Sequence, residues 1–380
     1  MEISKLMARK KVTVRFNRRD LIKAGAALGA TAMWQAAVHA NGLFVPQPAP
    51  WRRFQVLTRL ALATPAGKSQ AWIPLPSVNE SQWFQSNGST WRTNGRADIY
   101  TDARSGAQLL HVEWTEAEGS PVVEVTSDIA TRDRMIDISR PGDVQPLSST
   151  EREQYLAATE RIPIEGIVKE TSVKIVANAG TDVEKARAIY DWIVENCYRR
   201  ASTRGCGTGD ISAMLKSGDR GGKCADLNAL FVGLARAAGI PSRDVYGLRV
   251  APSRVGYKSL GVSSANVTKA QHCRAEVFLD RFGWTPVDPA DVRKVMLEEP
   301  PGNLFANDPK VTTVRQALFG AWESNWLAYN FAHDLNLPGS SGPRVGFLMY
   351  PQAETEDLRY DSLDAENFKY TILSKEIPVT

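Results

Sequence analysis

The spacing of apolar residues changes along this chain, and the changes divide it. From about Phe54 to Asp137, apolar and polar positions alternate in short runs, FQVLTRLAL, QAWIPLP, ADIYTD, AQLLHVEW and PVVEVTSDIATR, with Gly, Pro and Asn between them. A period of two over such runs predicts strands, and their even spacing predicts an antiparallel sandwich. Ser139 to Glu153, SRPGDVQPLSSTERE, has the Pro, Gly and Ser content of a linker. Beyond it the period becomes helical. In DVEKARAIYDWIVENCY, Ala186, Ile189, Tyr190, Ile193 and Cys197 share a face, and Thr181 is placed as N-cap with Glu184 three residues on.

The next helical segment lies within GDRGGKCADLNALFVGLARAAGIP, residues 218 to 241. Leu227, Leu230, Phe231, Leu234 and Ala238 fall on one face and predict a buried helix from Ala225 to Ala238. Gly239 is the expected left-handed stop, and Pro241 prevents resumption. Cys224 therefore stands at the first turn, where unpaired N–H groups and the helix dipole favour an anion. A thiolate there has a lowered pKa. Lys223 adds positive charge, and Gly221 and Gly222 remove bulk that would keep a substrate backbone from the sulfur. By position alone a structural cysteine in a core helix is an equal alternative.

A nucleophilic cysteine needs a base, and the base needs an orienting group. His111 lies in the strand-rich region, and His333 in an aromatic stretch read as helix. His272 opens HCRAEVFLDRFGWTPVDPAD, which reads as two strands joined by a tight turn at Asp280 to Gly283. Alternation places His272, Arg274 and Glu276 on one face and sends Cys273 to the core side. The returning strand ends at Asp288, which shares the His272 face only if Asp288 lies opposite an even-numbered residue such as Arg274. That requires a connection of odd length or a bulge, and the odd connection is predicted.

These residues resemble the core of the transglutaminase-like (papain-related) superfamily. The resemblance rests on SGDRGGKCADLNALFVGLARAAGIPSRDVYGL, the His-led strand and GWTPVDPA, with ARAIYDWIVENCYR upstream, and it is specific from about Ala186 to Ala290. It implies an α+β fold in which a helix bearing the nucleophilic Cys packs on an antiparallel sheet, preceded here by the β-sandwich-like domain. It also implies Cys224 as nucleophile, His272 as base and then acid, and Asp288 as orienter. Tyr198 resembles the aromatic oxyanion donor of some relatives; an ordinary packed tyrosine is the alternative. The family's usual His-Ala-Trp is His272-Cys273-Arg274 in this chain. The implied chemistry is acyl transfer on protein or peptide amides through a thioester, without a cofactor. A non-catalytic protein-binding module on the same fold is the competing class.

Bulk composition narrows the setting. The formal charge of +4 over 380 residues comes from the first 40, where eight Lys or Arg stand against Glu2 and Asp20. The remainder carries −2 and gives no basis for nucleic-acid binding. NRRDLIKAGAALGATAMWQAAVHA places Arg18-Arg19 before a short apolar run ending in Val38-His39-Ala40. It resembles a twin-arginine export signal followed by a peptidase site. The expectations are a periplasmic or otherwise exported protein without a membrane span in its mature form, served by the export machinery and signal peptidase. Four domains follow: residues 1–40 the signal, 41–150 the β domain and linker, 151–298 the core, and 299–380 a C-terminal extension. Four cysteines are too few for a disulfide scaffold, although Cys197 and Cys206 are near enough in sequence to pair. A metal site from Cys206, Cys224, His272 and His333 lacks ligand spacing and is not expected. Trp322, Trp326, Tyr329 and His333 fall on one face if the tail is helical, most simply as core.

Overall fold

The computed structural model describes residues 44, 46–63, 67–115 and 120–378. The signal read from residues 1–40 lies outside them. The alternating segments form two antiparallel four-stranded sheets. One orders Lys369–Ile377, Arg52–Ala61, Val122–Thr131 and Phe84–Thr93. The other orders Gln352–Thr355, Ser69–Leu75, Gln108–Trp114 and Arg96–Thr101. Strand Arg52–Ala61 buries alternate residues, and its Leu60 joins Ile73, Leu110, Trp114 and Val123 in one apolar cluster. Each sheet takes an edge strand from the last 30 residues of the chain. The segment read as a C-terminal extension thus completes both sheets.

The core is α+β. Helix Cys224–Ala237 is buried along its whole length. It packs on a third antiparallel sheet, ordered Gly283–Val287, Arg274–Leu279, Ser242–Arg249 and Trp326–Asn330. Helices Ile167–Ile175, Asp182–Asn196 and Pro289–Glu298 close around it. The local signals hold. Thr181 accepts from the Glu184 N–H at 3.2 Å and completes a capping box, and Gly239 takes φ +86° at the end of the Cys224 helix.

The hairpin after His272 has the odd connection. Leu279 pairs with Gly283 across Asp280, Arg281 and Phe282, and Arg281 and Gly283 take positive φ. Ala275 faces Val287, so continuing the register sets Asp288 across from Arg274.

Two expectations fail. The linker Ser139–Glu153 contains a helix start: Ser148 caps Ser149–Leu156 in a capping box with Glu151. The tail aromatics are not on a helix but in strands Ala321–Trp322, Trp326–Asn330 and His333–Leu335. Every residue from Leu318 to Asn330 is buried, so there is no polar face for a helical period to define, and the segment reads as a fully buried strand. Among the described residues no helix is long and apolar enough to cross a membrane.

Candidate active site

Cys224 is the first residue of its helix, with Lys223 as N-cap. At this position the backbone N–H has no intrahelical acceptor. The Asp226 carboxylate locks the turn, accepting from the N–H groups of Lys223, Thr208 and Gly209 at 3.0, 2.9 and 3.0 Å. The glycines before it are required by this packing. A Cβ on Gly221 would lie 2.3 Å from the Tyr198 ring, and one on Gly222 would lie 2.5 Å from the Asp226 Cβ. The bulk they avoid belongs to the protein itself.

Cys206, Cys273 and His272 all act on the Cys224 thiol, and Cys206, Cys224 and His272 line one cavity. The two neighbouring thiols, then the imidazole, hold the Cys224 thiol well below its ordinary pKa against the opposing effect of burial. The Cys206 thiol donates to the Gln271 carbonyl at 3.3 Å. Cys273 is fully buried, as read, yet it reaches Cys224, because the regular strand begins only at Arg274 and alternation does not bind the two residues before it. All four cysteines are free; Cys197 and Cys206 are not paired, and burial pushes the Cys197 thiol up to about 12.

His272 places Nε2 2.7 Å from Asp288 Oδ2 and 3.4 Å from Asp291 Oδ2. Burial lowers its pKa, but Asp291 and Asp288 outweigh burial and leave it raised. Asp288 is the N-cap of helix Pro289–Glu298, and its Oδ1 accepts the Asp291 N–H at 3.0 Å and Asn228 Nδ2 at 3.2 Å. Asn228 also donates to the Cys273 carbonyl at 2.9 Å, so one amide ties the residue beside His272 to the carboxylate. Asn228 lies one turn after Cys224 on the same helix. Trp326 Nε1 donates to the His272 carbonyl at 2.9 Å. Burial alone would raise the Asp291 pKa; Arg249, which donates to both its oxygens at 2.6 Å, and His272 hold it low.

His272, Asp288 and Asp291 bring potential ligand atoms within 4.8 Å of one another. The Asp291 oxygens already meet Arg249, and Arg274 lies 3.9 Å from Asp288. These guanidiniums occupy the positions a cation would need, so the set does not fit a metal. Among the described residues the other histidines, His111 and His333, stand elsewhere: His111 pairs with Gln70 at 2.7 Å and His333 with Tyr246 at 3.3 Å. Tyr198 is exposed and donates to Asp219 at 2.8 Å. On its short strand Arg199 faces the cavity and Tyr198 alternates away, so the tyrosine is not placed to donate to an oxyanion at Cys224.

A cavity of about 670 Å³ opens over Cys224, Cys206 and His272. One wall comes from the chain's end, with Tyr350, Leu363, Phe368 and Tyr370. Sequence reasoning missed that wall, along with Asn228, Cys206, Asp291 and Arg249. Asn228 alone had a signal, as an uncharged polar residue in a predicted buried helix.

Residues 169–289 match the model of the transglutaminase-like superfamily. An uncharacterized protein of Haemophilus influenzae is 36% identical over 330 residues, spanning 82% of this chain and 87% of that one. The chain belongs to the transglutaminase-like superfamily. Among solved structures, "a Putative Cysteine Protease from Cytophaga hutchinsonii" aligns with TM-score 0.49 at 13% identity, over 87% of this chain and 100% of that one. The periplasmic domain of TgpA from Pseudomonas aeruginosa aligns with TM-score 0.34 at 14% identity, over 74% and 96%. The family's fold suggests activity of the cysteine protease or transglutaminase type.

Proposed function

We propose that the protein is a thiol acyltransferase acting on protein or peptide amides, with Cys224 as nucleophile, His272 as base and acid, and Asp288 as orienter. The observation that supports this is the His272 Nε2–Asp288 Oδ2 contact of 2.7 Å, with His272 and Cys224 lining the same open cavity. The thiolate attacks the amide carbonyl, so that an S–C bond forms while the C–N bond breaks, and His272 gives its proton to the departing nitrogen. Water or a primary amine then takes the acyl group, and Cys224 leaves as thiolate. The Cys224 N–H, at the helix start, supports the oxyanion. Hydrolysis is placed ahead of transamidation. We also propose export through the twin-arginine route, on the strength of Arg18-Arg19 and the apolar run after them.

The test offers denatured casein with and without a fluorescent primary amine. New N-termini indicate the peptidase branch and incorporated label the transamidase branch, and both should vanish in Cys224→Ala and in His272→Ala. Turnover that survives Cys224→Ala contradicts the proposal, as does a wild-type protein that catalyses neither reaction.

A further inference from the structure

Among the described residues, the cavity over Cys224 is lined by seven Lys and Arg residues and by no Asp or Glu. Four of the seven have carboxylates beside them. Arg199 pairs with Glu298, Arg204 with Asp361 at 2.5 Å, and Arg249 with Asp291 at 2.6 Å, while Lys294 lies 3.8 Å from Glu298. The other three are Lys223, Lys269 and Lys369, and among the described residues none of them has a carboxylate within 4.0 Å. Set against the three partner carboxylates, seven cations leave an excess of about four charges. The rest of the molecule past residue 40 is slightly acidic, so this concentration is local and not a reflection of overall charge.

The three unpaired lysines line the same cavity as Cys224 and His272. Lys223 adjoins Cys224 in sequence, Lys269 precedes His272 by three residues, and Lys369 stands on the wall supplied by the C-terminal strand. Lys269 and Lys369 are exposed and Lys223 is half-buried, so burial does not explain their placement. Like charges gathered around a cleft cost free energy unless an anion enters it, and a cleft of one sign concentrates ligands of the other. The apolar wall of Leu363, Phe368 and Tyr370 beside them suits a peptide better than a bare ion.

Resting on the acyl-transfer reading of the same site, we infer that the acyl donor is an acidic peptide segment, with Asp or Glu side chains flanking the amide that Cys224 attacks. Lys223, Lys269 and Lys369 are its specificity determinants.

Two labelled peptides, identical except that Glu in one is Gln in the other, are titrated by fluorescence anisotropy into the full protein carrying Cys224→Ala. The Glu peptide should bind about tenfold or more tightly at low salt. The preference should shrink as ionic strength rises and vanish in Lys269→Glu/Lys369→Glu. Because both lysines are exposed, the fold should tolerate these changes. Equal affinity, a preference that survives the double substitution, or displacement of the Glu peptide by inorganic phosphate at matched charge would each overturn the inference. In parallel, wild-type Cys224 is labelled with iodoacetamide. Rapid labelling with equal peptide affinities refutes only the acidic donor. Labelling no faster than free cysteine, with the Glu preference intact, refutes only the nucleophile.

Discussion

Around Cys224 the decisive contacts are those of a few buried polar groups. The Cys206 thiol is the largest influence holding Cys224 low, so Cys206→Ala should move the pH at half-maximal Cys224 alkylation upward, as followed by mass spectrometry of the labelled peptide. Asn228→Ala should unfix Asp288 and leave the Cys273 carbonyl without its donor. A loss of roughly 1–3 kcal/mol in urea unfolding is expected, together with weaker pH control of Cys224. Cys224, His272 and Asp288 were readable as candidates because only a few residue types can form such a line and each is announced by a local motif. Arg249, Asp291 and Cys206 were not, since their neighbours are distant in sequence and nothing local says what lies across the site.

Among the elements, the hairpin shows how much a sequence can specify. Period-two alternation is local and showed the strands. The odd connection was predicted from the need for Asp288 to share a face with His272, since the four-residue turn read at Asp280 to Gly283 would send Asp288 away. The turn is one residue shorter. The glycines show the limit. Gly221 and Gly222 were legible as a need for small side chains, but the crowding groups, Tyr198 and Asp226, depend on tertiary packing. Gly222→Ala should destabilise the protein by roughly 1–3 kcal/mol, because Asp226 is held by three N–H groups and its Cβ has nowhere to move. Urea unfolding of the variant beside wild type checks this. The tail failed for a different reason: four aromatic residues at helical spacing mimicked a face in a segment buried on all sides, where periodicity carries no information.

At the scale of the molecule, one buried carboxylate joins the strand-rich region to the core sheet. Glu276, fully buried on Arg274–Leu279, pairs with Arg134 and, at 2.5 Å, with Arg243, whose guanidinium lies 4.0 Å from the Trp284 ring centre. Glu276→Ala would leave buried Arg134 without a carboxylate and Arg243 with Glu80 alone, and a loss of about 3–5 kcal/mol is expected in urea unfolding. Burial would raise the Glu276 pKa, but Arg243 and Arg134 hold it below the ordinary value. Its contribution is therefore full above the unfolded carboxylate pKa and is lost as pH falls through the lower folded one. The return of the C-terminal strands to both N-terminal sheets was not legible. Strand pairing between the two ends of the chain depends on the whole topology and leaves no local trace.

The measurement that bears most directly on the account is the pH dependence of Cys224 alkylation, in the wild type and in His272→Ala. Cys224 is held low by its neighbours while His272 is raised, so a thiolate beside an imidazolium is expected at rest. The account predicts rapid alkylation well below pH 7 in the wild type, with the half-maximal point moving upward in His272→Ala. A Cys224 that titrates like a free or buried thiol and is indifferent to His272 would contradict it.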